Sequence, residues 1–121
     1  MSRYRGLTLR VLGRSGPPAM GPGKAELIEH IALTGSISAA ARAMGMSYRR
    51  AWQLVEALNR TFREPVITTE IGGARGGGAR VSAFGSRIAA DFRAMERKAS
   101  KAIAADLGRF ARRLRKPKRH P

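Results

Sequence analysis

The 121-residue sequence contains no cysteine. Disulfides, thiolate metal sites and cysteine nucleophiles are therefore excluded from this chain. Acidic residues are scarce, with 8 Asp and Glu against 24 Lys and Arg. No carboxylate pair stands at a metal-binding spacing, and the two histidines, His30 and His120, are far apart. Nothing in this set resembles catalytic machinery, so the expectation is a protein that is not an enzyme and holds no cofactor. Aromatics are few (1 Trp, 2 Tyr and 4 Phe), too few to favour a base-stacking platform for single strands. No apolar run approaches the ~20 residues that cross a bilayer. The N-terminus also lacks the apolar core of a signal peptide. A cytoplasmic, nucleoid-associated protein with no membrane partner is expected, and no small-molecule ligand is evident.

What the sequence has is cationic charge, a net +16. An excess of this size calls for a polyanion, either nucleic acid or an anionic membrane surface. Nucleic acid is the better match once the order of elements is considered.

The chain divides into four stretches. Residues 1–6 form a basic arm, 7–82 a DNA-binding domain, 83–114 a long helix and 115–121 a basic tail. Leu7 to Leu12 alternates apolar and polar residues and predicts a short strand. Residues 13–23 hold three prolines and four glycines and predict a loop. A helix is expected from about Lys24 to Thr34, with Leu27, Ile28 and Ile31 inward and Gly35 as its stop. Val66 to Ile71 is strand-like, and Arg80 to Ser82 can return as its partner. Between them, residues 72–78 contain five glycines in seven positions. Ser82 can cap a last helix from Ala83 to about Leu114.

The strongest pattern lies between Ser36 and Phe62. Ser36 can cap a short helix whose Ala40, Ala41 and Ala43 allow a second helix to cross closely. Gly45 and Met46 form a tight turn, and Ser47 can cap the longer helix. On a wheel of about 100° per residue, Ala51, Leu54, Val55, Leu58 and Phe62 share one face. Arg49, Gln53, Glu56 and Arg60 cluster opposite, with Arg50 on the flank. Arg can hold guanine and Gln adenine through paired hydrogen bonds in the major groove. Tyr48 and Trp52 fall between the two faces and are expected to pack against the hairpin or the first helix.

The glycine-rich stretch is not a nucleotide loop, because Ala79-Arg80-Val81 continues as strand instead of opening a helix. It suits a hairpin wing, with Arg75 and Arg80 meeting phosphates or the minor groove. Further on, Ile88, Phe92, Met95, Ala99, Ile103, Leu107, Phe110 and Leu114 follow spacings of three and four. Beyond Ala99 that stripe exceeds what a small domain can cover, and a partner helix from a second copy is expected. The tail from Arg109 to Arg119 carries seven basic residues and could track phosphates.

Three quoted runs resemble one family. They are Gly35-Ser36-Ile37-Ser38-Ala39-Ala40-Ala41, Gly45-Met46-Ser47-Tyr48-Arg49-Arg50-Ala51-Trp52, and Gly72-Gly73 with Gly76-Gly77-Gly78. Together they resemble the N-terminal DNA-binding domain of ModE-type molybdate-responsive transcriptional regulators, over roughly Leu7 to Ala99. That domain is itself similar to the DNA-binding domain of LysR-type regulators. The resemblance implies a winged helix-turn-helix homodimer with its long last helix in the dimer. It makes Ser36, Ser47, Tyr48, Arg49, Arg50 and Gln53 candidate DNA contacts, with Arg75, Gly76, Gly77 and Arg80 in the wing. Arg60 joins them from its place on the polar face. The family's molybdate-binding module, with its Ser-Ala-Arg-Asn motif, has no counterpart in these residues. The expectation is a stand-alone regulator or one that takes its signal from another protein.

The expected fold is mainly α with a small β-hairpin, a winged helix-turn-helix with a long C-terminal dimerisation helix. The expected function is sequence-specific control of transcription on double-stranded DNA. An architectural nucleoid protein with little sequence preference is the alternative. An RNA-binding protein is disfavoured by the lack of a stacking sheet.

Overall fold

A computed structural model describes residues 6–70 and 78–116. Its order is α1 (Pro22–Thr34), α2 (Ile37–Ala43), α3 (Tyr48–Thr61), β1 (Ile67–Glu70), β2 (Gly78–Val81), α4 (Ala83–Ala102) and α5 (Ala104–Ala111). The result is mainly helical with a two-stranded antiparallel sheet, a winged helix-like fold.

Local chemistry sets most of the boundaries. Gly21 precedes α1 and Pro22 opens it, where a missing N–H costs nothing. Gly35 ends α1 in the left-handed region at φ 69°, and its N–H donates to the Ile31 carbonyl. The Ser36, Ser47 and Ser82 hydroxyls accept from the N–H groups of Ala39, Arg50 and Gly85, and so cap α2, α3 and α4 as expected.

The core gathers Leu27, Ile28 and Ile31 of α1 with Ala40 and Ala41 of α2, and Ala51, Val55 and Leu58 of α3. Val66, Ile67 and Ala79 close it from the hairpin, and Ala89 and Phe92 from α4. Alanine on α2 is what lets α3 come close. Ala43, expected on that inner face, instead points to solvent. Phe62 and Phe84 meet edge to face at 6.2 Å between ring centroids and seal the end of α3 against α4.

Two expected elements differ. Leu7 to Leu12 is not a strand but a single antiparallel bridge, Val11 with Met20. Neither partner continues into regular pairing, because the proline-rich segment 17–22 supplies few backbone donors. The helix expected from Ala83 to Leu114 is also interrupted. Ile103 takes φ −108° and ψ 12°, separating α4 from α5. Ala102, Ala104 and Ala105 are exposed, so no packed side chain holds the axis straight there. Leu107, one turn beyond the break, lies against Gly6 of the N-terminal segment.

One polar clasp ties the far side together. Arg93 of α4 donates from Nε and Nη2 to the two carboxylate oxygens of Glu29 on α1, both at 2.9 Å. Its Nη1 donates to Glu96 at 2.9 Å. The Glu29 hydrogen bonds are the main reason its pKa stands above the ordinary arginine value.

Candidate nucleic-acid interface

The α2–α3 connection is built from backbone. The Met46 N–H donates to the Ala41 carbonyl at 3.0 Å, and the Gly45 N–H to Arg42 at 3.2 Å. This double closure around a left-handed residue is the Schellman arrangement, and Gly45 supplies it at φ 68°. It ends α2 sharply and turns the chain into the Ser47 cap. The consequence is a second helix whose start is fixed by main-chain bonds.

α3 then buries Ala51, Val55 and Leu58, and partly covers Leu54 and Phe62. Arg49, Arg50, Gln53, Glu56 and Arg60 all face solvent. Among the described residues, no carboxylate forms an ion pair with Arg49, Arg50 or Arg60. Their guanidinium donors therefore stand ready for an outside acceptor. Trp52 packs against the core, whereas Tyr48, expected to pack, is 55% exposed. The reason is position. Tyr48 is the first residue of α3, one turn before Trp52.

The hairpin is anchored from two sides. Its register pairs Ile67 with Val81 and Thr68 with Arg80. On one side Asn59 of α3 reaches the start of β1. Its Oδ1 accepts from the N–H groups of Val66 and Ile67, at 2.8 and 3.1 Å, and its Nδ2 donates to the Ile67 carbonyl at 2.8 Å. On the other side the Ala79 N–H of β2 donates to the Gly35 carbonyl at 3.0 Å. Ser82 adds a third tie, donating to the Pro65 carbonyl at 2.6 Å while capping α4. The hairpin base is thus fixed relative to α3 and to the α1–α2 junction at Gly35.

Arg80 is exposed and lies 3.7 Å from Glu70 across the hairpin. An exposed pair of this kind contributes at most about 1 kcal/mol, so a phosphate can displace the carboxylate. Arg75, Gly76 and Gly77 lie outside the described residues. Ser36 is half-buried and Ser47 exposed, each with its hydroxyl committed to a cap.

The candidate partner stripe separates into two parts. Phe92 is 1% exposed inside the chain's own core, and Ile88 packs beside it, so these two face inward and not toward a partner. Met95 and Phe110 are 43% and 59% exposed, with Ala99, Ile103 and Leu107 half-buried between them. The residues that sequence reasoning missed are Asn59 and Arg93. The Arg93–Glu96 spacing of three was visible in the sequence. The partners of Asn59 and the Glu29 side of the clasp are tertiary, and no local pattern announces them.

Among the described residues, no helix is long and apolar enough to cross a membrane, and no cluster of His, Cys, Asp and Glu is suited to a metal ion. No family model matches the chain. Individual relatives do. The molybdenum-pterin-binding protein MopA of Rhodobacter capsulatus is 40% identical over 92 residues, which is 76% of this chain and 35% of that protein. The molybdenum transport protein ModE of Azotobacter vinelandii is 36% identical over 78 residues, 64% of this chain and 29% of the relative. The DNA-binding transcriptional dual regulator ModE of Escherichia coli (strain K12) is 37% identical over 67 residues, 55% of this chain and 26% of the relative. The chain thus matches about a third or less of the length of these relatives. Over that shared segment the chain is a homologue of the ModE regulators and the molybdenum-pterin-binding proteins, consistent with the N-terminal DNA-binding region of ModE-type regulators.

Proposed function

We propose that the chain is a sequence-specific DNA-binding transcriptional regulator that works as a homodimer. The observation that carries this is the outer face of α3. Arg49, Arg50 and Gln53 are exposed at the capped start of a helix fixed by a backbone-closed turn. No carboxylate among the described residues pairs with the two arginines. A helix presented in this way enters the major groove by its first turns. The hairpin follows the adjacent backbone, with Arg80 toward phosphate. The ModE relatives include one named as a DNA-binding transcriptional regulator, which supports the reading.

The dimer rests on the exposed distal stripe of Met95, Phe110 and Leu114. A second copy offers the same apolar stripe in return, as two-fold assembly requires. Two α3 helices then meet half-sites about 34 Å apart, or a multiple of that.

Selection of bound sequences from a random duplex library tests the reading. An enriched two-fold motif is expected. On that motif, Arg49→Ala, Arg50→Ala and Gln53→Ala each cost about 1–3 kcal/mol, with smaller losses on random duplex. No enrichment, with equal losses on both duplexes, would favour an architectural protein that binds only the backbone.

A further inference from the structure

α3 carries a single acidic residue, Glu56, and it stands on the outer face. Arg49, Gln53, Glu56 and Arg60 follow at steps of four, three and four residues, so they form one ridge along the helix. All four are exposed. From Arg49 to Glu56 the ridge rises about 10.5 Å, or roughly three base-pair steps of 3.4 Å. The other acids are mostly used in pairs. Of the 8 Asp and Glu, Glu29, Glu64, Glu70, Glu96 and Asp106 each form an ion pair with an arginine. Glu56 has no ion pair or hydrogen bond among the described residues. Yet Arg60 lies four residues on, in the order that favours a pair on a helix. A bare carboxylate on a face that meets phosphates weakens binding to any duplex, unless the groove offers it a donor.

We propose that Glu56 is a specificity-determining residue that reads cytosine in the major groove, accepting a hydrogen bond from the base's amino group. The proposal rests on the DNA-binding reading above and deepens it by naming a base that the α3 ridge selects. A carboxylate accepts hydrogen bonds and donates none. In the major groove cytosine shows only an amino donor, and adenine an amino donor beside an acceptor. Guanine shows two acceptors, and thymine an acceptor and a methyl group. Cytosine is thus the edge that matches Glu56 without an opposing lone pair. Guanine or thymine in its place leaves the carboxylate desolvated and unpaired, so the residue selects by rejection as well as by attraction.

The experiment selects bound sequences from a random duplex library with the intact chain and with Glu56→Ala. The wild-type motif should contain a position where cytosine is favoured by roughly tenfold over guanine or thymine. Glu56→Ala should lose that preference, keep the others, and bind random duplex as well as wild type or better. A second measurement replaces the favoured cytosine with 2-pyrimidinone, which lacks the amino group. Wild type should weaken by roughly tenfold on this duplex, and Glu56→Ala should not respond. Thermal unfolding checks that the variant, changed at an exposed helical position, keeps its fold. A wild type with a clear motif that Glu56→Ala leaves unchanged overturns the cytosine contact and leaves the DNA reading standing. Equal sensitivity of wild type and variant to 2-pyrimidinone, or none in either, also overturns it. A wild type with no motif at all overturns both the contact and the sequence-specific reading.

Discussion

The α2–α3 pair and the α4–α5 pair are both two helices joined by a short break, yet they are held by different forces. At the first break, left-handed Gly45 and two backbone hydrogen bonds define the turn, and buried alanines bring the helices together. At the second, Ile103 has an ordinary negative φ, no serine caps α5, and none of the α5 residues is fully buried. α5 does carry an exposed pair of its own, Arg109 with Asp106. The first pair takes its geometry from within the chain. Among the described residues, the second sets Leu107 against Gly6 but leaves Phe110 and Leu114 exposed.

Substitutions at matched aromatic positions should separate the two halves most clearly. Phe92→Ala removes a ring buried in the core and should cost about 3–5 kcal/mol, read from denaturant unfolding at low protein concentration. A loss below about 1 kcal/mol would mean that the start of α4 is as loosely held as α5.

Asn59→Ala should have the next largest effect. It leaves the Val66 N–H without its side-chain partner and frees the root of the hairpin from α3. The expected loss is about 1–3 kcal/mol. Hydrogen exchange should speed up at Val66 and Ile67 more than in α1. Uniform acceleration across the domain would show that Asn59 supports the whole core and not the hairpin in particular.

Phe110→Ala should have the smallest effect on unfolding of the isolated monomer, under about 0.5 kcal/mol, because the ring is already in water. Its effect should appear instead in sedimentation, as a shift from dimer toward monomer at micromolar concentration. A wild-type dimer left unchanged by Phe110→Ala would place the interface elsewhere and erase the contrast with Phe92.

The sequence was most legible where structure is local. The Ser36, Ser47 and Ser82 caps, the Gly35 and Gly45 stops and the inward set Ala51, Val55 and Leu58 each depend on residues a few positions apart. Spacing alone could not divide the C-terminal stripe. Phe92 and Phe110 have the same periodic signature, and only the packing of α1 and the hairpin against α4 gives the first a core and leaves the second outside. The helix break at Ile103 was equally hidden, because alanines on both sides are strong helix formers. The setting of Lys24 was hidden for a similar reason. Its ammonium donates to Pro18, six residues back in a loop.

The double anchoring of the hairpin has a consequence for association. With β1 held by Asn59 and β2 by Gly35, the relative placement of hairpin and α3 is settled when the domain folds. The entropy of ordering these two surfaces is lost during folding, where the hydrophobic core offsets it. In the proposed DNA-binding role, meeting the duplex would not incur it a second time. Immobilising flexible contact groups at an interface costs roughly 0.5–1.5 kcal/mol for each ordered side chain, and a pre-set pair of elements avoids much of that. A protein built this way should bind as a rigid die, with its rate of capture set by electrostatic steering from its +16 charge and not by a search for the right internal arrangement.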